Sequence, residues 1–237
     1  MINRDAWYQA MPGLMVMAEE KAVIERALKT ERRNDLLQIG GPGDARLVEN
    51  LRATRAFFLD KHHRTEKTNL FIRSEIDLLP IQSETMDIVL LIHALEKSAH
   101  PKAILQEAYR VLKPNGKIVV IGFNRWSLWR LFHMFSKKQV FPPVFRFYGM
   151  DKIKRILHRL SCDIHLQQTF CFRLPFKKVL TATRWVFLES LGQFIFPSFG
   201  AAYFLMATKK VVGVTPLRSE TWRKKMRVSA NMVEPTV

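Results

Sequence analysis

The sequence predicts an α/β domain built on a doubly wound, mostly parallel sheet. Three observations carry the prediction. Short aliphatic runs alternate with segments of helical periodicity along the first two thirds of the chain. A strand, a glycine turn and a helix follow one another from Leu36 onward. Met86 to Ile92 is an aliphatic run interrupted only by Asp87, the composition of a strand covered on both faces. At 237 residues the chain is long enough to bury one sizeable core and too short for two ordinary domains with generous linkers.

Taken in order, Met15 to Arg33 is rich in Ala, Glu, Lys, Met and Leu, with Val16, Val23, Ile24, Ala27 and Leu28 at helical spacing, which predicts an amphipathic helix lying over the sheet or the mouth of a site. Leu36 to Ile39 is a short strand, and Gly40-Gly41-Pro42-Gly43-Asp44 is a turn. Asp44 to Ala53 is a helix that Asp44 can cap, and Ala56 to Leu59 is a second strand ending at Asp60. Glycines at such a turn let backbone N–H groups approach a ligand, and an acid at the tip of the next strand can take a pair of ribose hydroxyls. An ordinary tight turn between strand and helix accounts for these residues equally well. Leu70 to Arg73 is a third strand, Met86 to Ile92 a fourth, and Pro101 to Leu112 a helix with Pro at its first turn. Lys113-Pro114-Asn115-Gly116 stops that helix before a strand over Lys117 to Ile121. Asp151 to Leu160 is an amphipathic helix, and Ser161 to Leu166 and Ala202 to Lys209 are the last strands. The apolar run from Trp185 to Ala207 contains Glu189, Gln193 and Pro197, which argue against a membrane span and for a helix, a turn and a strand.

The charge is unevenly placed. The net charge is +17, and residues 125–237 carry twenty Lys and Arg against five Asp and Glu, leaving the first 124 residues nearly neutral. Such an asymmetry points to one part that handles a cofactor and another that meets an anion, with a merely solvated basic surface as the competing account. Between Asn124 and Phe147, cations interleave with Trp126, Trp129, Phe132, Phe135, Phe141 and Phe145. That pattern suits a single-stranded nucleic-acid surface. It suits equally an amphipathic lid over a small substrate. Cys162 and Cys171 form neither a disulfide framework nor a zinc site, and the adjacent His62 and His63 lack further ligands, so no metal is expected. A reducing compartment and the absence of an export signal at the N-terminus place the expected location in the cytoplasm.

Met86-Asp87-Ile88-Val89, Leu95-Glu96, Pro101, Ile104-Leu105, Glu107 and Arg110 to Lys117 resemble the central segment of class I S-adenosylmethionine-dependent methyltransferases of the type 11 group. Gly122-Phe123-Asn124 with Ser127-Leu128-Trp129 is similar to a small bacterial subgroup of unknown substrate. The resemblance runs from about Leu36 to Lys210. It implies a Rossmann-like, seven-stranded sheet with the last strand antiparallel and S-adenosyl-L-methionine as cofactor. It implies further that Gln38, Gly40, Gly41, Gly43, Asp44, Asp60, Lys61, Glu75, Ile76, Leu91 and Ile92 line the cofactor site. Asp60 would hold the ribose and Glu75 with Ile76 would lie near the adenine. His93 is the candidate for proton acceptance, or else a packed polar residue. Asn124, Arg125, Trp126, Trp129 and Arg130 are the candidate acceptor-binding residues.

Three positions depart from the family pattern: Gln38 replaces an acid, and Pro42 and Asp44 replace glycines. The expected organisation is a helical cap over residues 1–34, a methyltransferase domain over 35–210 with a basic aromatic insertion at about 125–150, and a flexible basic tail over 211–237. The expected activity is methyl transfer to an unidentified acceptor, with an anionic small molecule or RNA as candidates and peripheral membrane contact as a further one. The alternative is a catalytically degenerate protein of the same fold that binds nucleic acid or a membrane through its basic half.

Overall fold

A computed structural model of the chain describes residues 4–31, 33–41, 47–48, 51, 53–60, 70–127, 129–131, 146–172 and 198–210. Two helices open the chain, α1 (Arg4–Tyr8) and α2 (Gly13–Leu28). The strands are β1 (Arg33–Gly40), β2 (Ala53–Asp60), β3 (Phe71–Arg73), β4 (Met86–Ile92), β5 (Leu112–Phe123), β6 (Cys162–Phe170) and β7 (Ala202–Lys209). A 3-10 turn, Leu95–Lys97, and helix α3 (Pro101–Val111) lie between β4 and β5, and α4 (Met150–Arg159) precedes β6.

The seven strands form one sheet in the order β3-β2-β1-β4-β5-β7-β6. Strands β3 to β5 run parallel, and β7, last in the chain, is antiparallel to both of its neighbours. The expected seven-stranded, mostly parallel sheet is therefore observed.

Alternation along each central strand sends odd and even positions to opposite faces. Leu36, Ile88, Leu90, Val119 and Ile121 join Val16, Ile24 and Leu28 of α2 in one core. Leu37, Ile39, Val89, Leu91, Ile118 and Val120 join Ile104, Leu105 and Ala108 of α3 and Ile153 and Leu157 of α4 in the other. Both faces of the sheet are covered, which is why these strands lack a polar side.

Several boundaries differ from expectation for identifiable reasons. The first long helix ends at Leu28, and Glu31 instead pairs with Lys117 of β5. Helix α1, within the residues 1–34 expected to form a helical cap, is too short to show a period of its own. Strand β5 begins at Leu112, ahead of the Pro-Asn-Gly stop, because Asn115 takes a left-handed φ of 61° and the ladder with β4 shifts register between Met86 and Ile88. Strand β6 extends to Phe170. The expected helix after Asp44 lies mostly outside the described residues, although Leu47, Val48 and Leu51 are buried in the α2-side core. Most of the aromatic insertion, the Trp185 run up to residue 197, and the 211–237 tail also lie outside them.

Candidate active site

The carboxyl ends of β1, β2 and β4 converge where β1 gives way to the glycine turn. Gly40 pairs with Ile92 across the β1–β4 ladder, and Gly40 and Gly41 have φ of 80° and 76°. Two successive left-handed residues at a strand end favour glycine. A Cβ on Gly40 would also collide with the carbonyl oxygen of Ile92, and one on Gly41 would come within 3.2 Å of the Ile92 side chain. The turn therefore packs tightly on the end of β4. The Gln38 amide braces it by donating from Nε2 to the Gly40 carbonyl at 3.1 Å, a bond that a carboxylate at this position could not donate.

Asp60, at the tip of β2, is buried, with the Lys97 ammonium 3.8 Å from its carboxylate. Glu75 is exposed and Ile76 half-buried in the segment after β3. The neighbouring Leu79–Ser83 stretch is fixed by α3: Glu107 accepts from the Leu79 N–H at 2.9 Å, and Arg110 donates to the carbonyls of Leu79 and Ile81. Hydrogen bonding to Arg110 holds the Glu107 carboxyl below its usual pKa. Leu91 and Ile92 are buried at the carboxyl end of β4. Gly43, Asp44 and Lys61 lie outside the described residues.

Beyond Ile92, His93 takes a left-handed φ of 50° while its N–H donates to Ile121 O at 2.9 Å. Its ring lies 4.0 Å from that of Phe123, nearly parallel. Nε2 meets Glu20 of α2 at 2.6 Å and Nδ1 meets Glu96 at 2.8 Å. All three residues are shut away from solvent, with exposures of 0% for Glu20 and 2% for His93 and Glu96. Glu96 also accepts the N–H of Phe123, and the second oxygen of Glu20 has no hydrogen-bond partner among the described residues. Burial alone would favour neutral imidazole. The charges of Glu96 and Glu20 and their hydrogen bonds outweigh it and raise the His93 pKa from 6.5 to about 10. His93 is accordingly an imidazolium at neutral pH with both N–H groups committed to carboxylates. It clamps α2 to the end of β4, immediately beside the glycine turn, and as placed it positions structure and has no free nitrogen to take a proton.

Glu20 escaped the sequence reading because it sits in a helix full of carboxylates. The signal that would have found it is position: residue 20 falls on the stripe of Val16, Val23 and Ile24, so this acid shares the buried face.

Of the candidate acceptor-binding residues, Asn124 is buried and spends its side chain on backbone, donating to Ser198 O at 2.6 Å and Gly200 O at 3.1 Å. Trp129 is buried in the α2-side core. Arg125 and Trp126 are exposed and Arg130 is half-buried. No group of three or more metal-ligating side chains occurs among the described residues.

Comparison with known proteins agrees with this geometry. The Methyltransferase domain family matches residues 48–120. Demethylmenaquinone methyltransferase of Chlamydia muridarum is 26% identical over 108 residues, 42% of this chain and 47% of that protein, and its Protochlamydia amoebophila counterpart is 30% identical over 93 residues, 38% of each. The match thus spans less than half the length of these curated relatives. Among solved structures, SAM-dependent methyltransferases of Thermotoga maritima and Archaeoglobus fulgidus each align with a TM-score of 0.60 at 18% identity. The first covers 82% of this chain and 89% of its own, the second 81% and 94%. Sheet order and solved relatives show the class I methyltransferase fold, and the family match covers residues 48–120, under a third of the chain.

The described residues fit S-adenosylmethionine as cofactor. The paired left-handed glycines give a close backbone approach, and the buried acid at the tip of β2 suits a ribose diol.

Proposed function

We propose that this protein transfers a methyl group from S-adenosylmethionine to a small-molecule acceptor. The observation that carries the reading is the conjunction, at the carboxyl ends of β1, β2 and β4, of the Gly40-Gly41 turn packed on Ile92 with the buried carboxylate of Asp60. When bound, the cofactor supplies an electrophilic methyl carbon on its sulfonium. Asp60 accepts the ribose hydroxyls, Gly40 and Gly41 lend backbone to the methionine part, Glu75 and Ile76 flank the adenine, and Leu91 and Ile92 wall the site. Holding an acceptor in line with that carbon provides much of the acceleration as the S–CH3 bond breaks and the acceptor–CH3 bond forms; the proton the acceptor loses passes to water, so no side-chain base is obligatory. This agrees with the committed state of His93.

The curated relatives are named for methylation of demethylmenaquinone, and a Caenorhabditis elegans protein that is 28% identical over 54 residues is named a polyprenyl benzoquinol methylase. A quinol-type ring is therefore the first acceptor class to test, with peripheral membrane contact as the partner such an acceptor implies and RNA as the contrasting one. A cytoplasmic setting belongs to the same reading. Residues 1–34 serve as a cap, 35–210 as the catalytic domain and 211–237 as a basic tail.

Calorimetric titration with S-adenosylmethionine and with S-adenosylhomocysteine tests the proposal. Loss of charge-assisted hydrogen bonds to the ribose in Asp60→Ala weakens both ligands by about ten- to a hundredfold. Failure of the unsubstituted protein to bind either ligand, in a folded sample, would refute methyl transfer and leave the non-catalytic binding reading.

A further inference from the structure

We propose that Arg125, Trp126, Arg130, Leu131, Arg146 and Phe199 form a docking surface for an anionic lipid bilayer beside the mouth of the cofactor site. The proposal names the partner for the methyl-transfer reading above, but it stands on residues separate from those of the cofactor site, and it reassigns Arg125, Trp126 and Arg130 from the acceptor to the bilayer. Six large apolar side chains are exposed among the described residues, and three of them fall here: Trp126 at 69%, Leu131 at 52% and Phe199 at 42%.

They stand on a braced base. Asn124, just past β5, donates its backbone N–H to Ala201 O at 2.9 Å and its side-chain amide to Ser198 O and Gly200 O, and its Oδ1 accepts the Trp126 N–H at 3.1 Å. The segments carrying Trp126 and Phe199 are thereby tied together at the carboxyl end of the sheet. Ser127 then accepts the N–H groups of Arg130 and Leu131, opening a helical turn that sends Trp129 into the core and leaves Leu131 outside.

The cations surround this apolar tip. The Arg125 guanidinium lies 5.7 Å from the Trp126 ring and that of Arg130 lies 4.8 Å from the Phe147 ring. Exposed Arg146 donates its N–H to Glu96 O, which fixes it beside the segment following β4. Residues 124–131, 146–149 and 198–201 contain no Asp or Glu. Tryptophan with flanking arginines is the composition that settles at the headgroup level of a bilayer, the rings in the interface and the guanidinium groups among lipid phosphates. Exposed Leu131 distinguishes this surface from a base-stacking platform, which calls for rings and phosphate contacts and gains nothing from an aliphatic tip. An acceptor dissolved in the membrane would enter the site from the same side on which the protein docks.

The test is co-sedimentation of the full chain with vesicles of equal parts phosphatidylglycerol and phosphatidylcholine, and with pure phosphatidylcholine. Binding is expected to the anionic vesicles and to be weakened by salt, because each cation near such a surface contributes about fivefold in partition. Trp126→Ser with Phe199→Ser is expected to weaken binding about tenfold or more, and Arg125→Gln with Arg130→Gln by a similar factor, while far-UV circular dichroism and S-adenosylmethionine affinity stay unchanged. Wild-type protein that ignores anionic vesicles overturns the proposal. So does binding that survives both double variants but disappears when residues 211–237 are removed, and so does tRNA binding that is tighter than vesicle binding and shares its residues. Because cofactor affinity is read on the same samples, failure of docking leaves methyl transfer standing, and failure of cofactor binding leaves docking standing.

Discussion

Replacing Glu20 by Gln removes one of the two carboxylates that keep His93 protonated, and its effect is best read as a function of pH. In the folded protein the His93 pKa is raised from 6.5 to about 10 by Glu96 and Glu20 acting against burial. A raised pKa means that the folded state holds a proton that the unfolded chain releases above pH 6.5. The stabilisation is therefore complete below pH 6.5 and is lost as pH rises through about 10. At about 1.4 kcal/mol for each pH unit of that window, the linkage is on the order of 5 kcal/mol. In Glu20→Gln the penalty of burying the imidazolium persists with only Glu96 to offset it, so its pKa falls. Breaking a buried pair of this kind costs about 3–5 kcal/mol at neutral pH. Urea unfolding of both proteins between pH 6 and pH 9.5, with histidine ring NMR to follow His93 directly, measures the difference. Wild-type stability should decline across this interval relative to the variant. A parallel pH dependence in the two proteins, or a His93 ring that titrates near its ordinary value in the wild type, would refute the account of a charged clamp.

Two further substitutions probe the frame around the site. Gly40→Ala places a side chain at φ 80° against the Ile92 carbonyl, so a loss of about 2–4 kcal/mol in urea unfolding is expected; a loss under about 1 kcal/mol would show that the turn can relax. Lys209→Met strips the carbonyls of Leu112 and Tyr109 of a buried ammonium donor at 2.8 Å and 3.2 Å, which should cost about 2–3 kcal/mol without altering cofactor affinity, and an affinity change of tenfold or more would show that β7 is coupled to the site.

Legibility in the sequence followed burial. Strands β4 and β7 matched their expected limits because most of their residues are buried, which leaves an unmistakable apolar run. Strand β6 was cut short at Leu166 because it lies at the sheet edge, where Gln167, Gln168 and Thr169 signal a loop by composition. The Pro-Asn-Gly group concealed the start of β5, since turn chemistry and a register shift look alike without the partner strand. The glycine turn and Asp60 were readable because their spacing is local. The Glu20–His93 contact spans seventy-three residues, and no local pattern reveals which of several helix carboxylates meets a histidine so distant.

The glycine turn bears on the residue at position 38. The side chain at position 38 is buried two residues before the end of β1, and an uncompensated carboxylate there would bear the cost of a buried charge. Gln38 avoids that cost and supplies what an ionised acid cannot, an N–H for the Gly40 carbonyl of the left-handed turn. The buried charge just beyond β4 is carried by α2 and by the turn after β4, with His93 joining the two through its ring nitrogens. The departure at position 38 and the buried clamp are thus two parts of one arrangement: the glycine turn is held by an amide from within its own strand, and the wall it packs on is held by an ion cluster reaching in from the N-terminal helix.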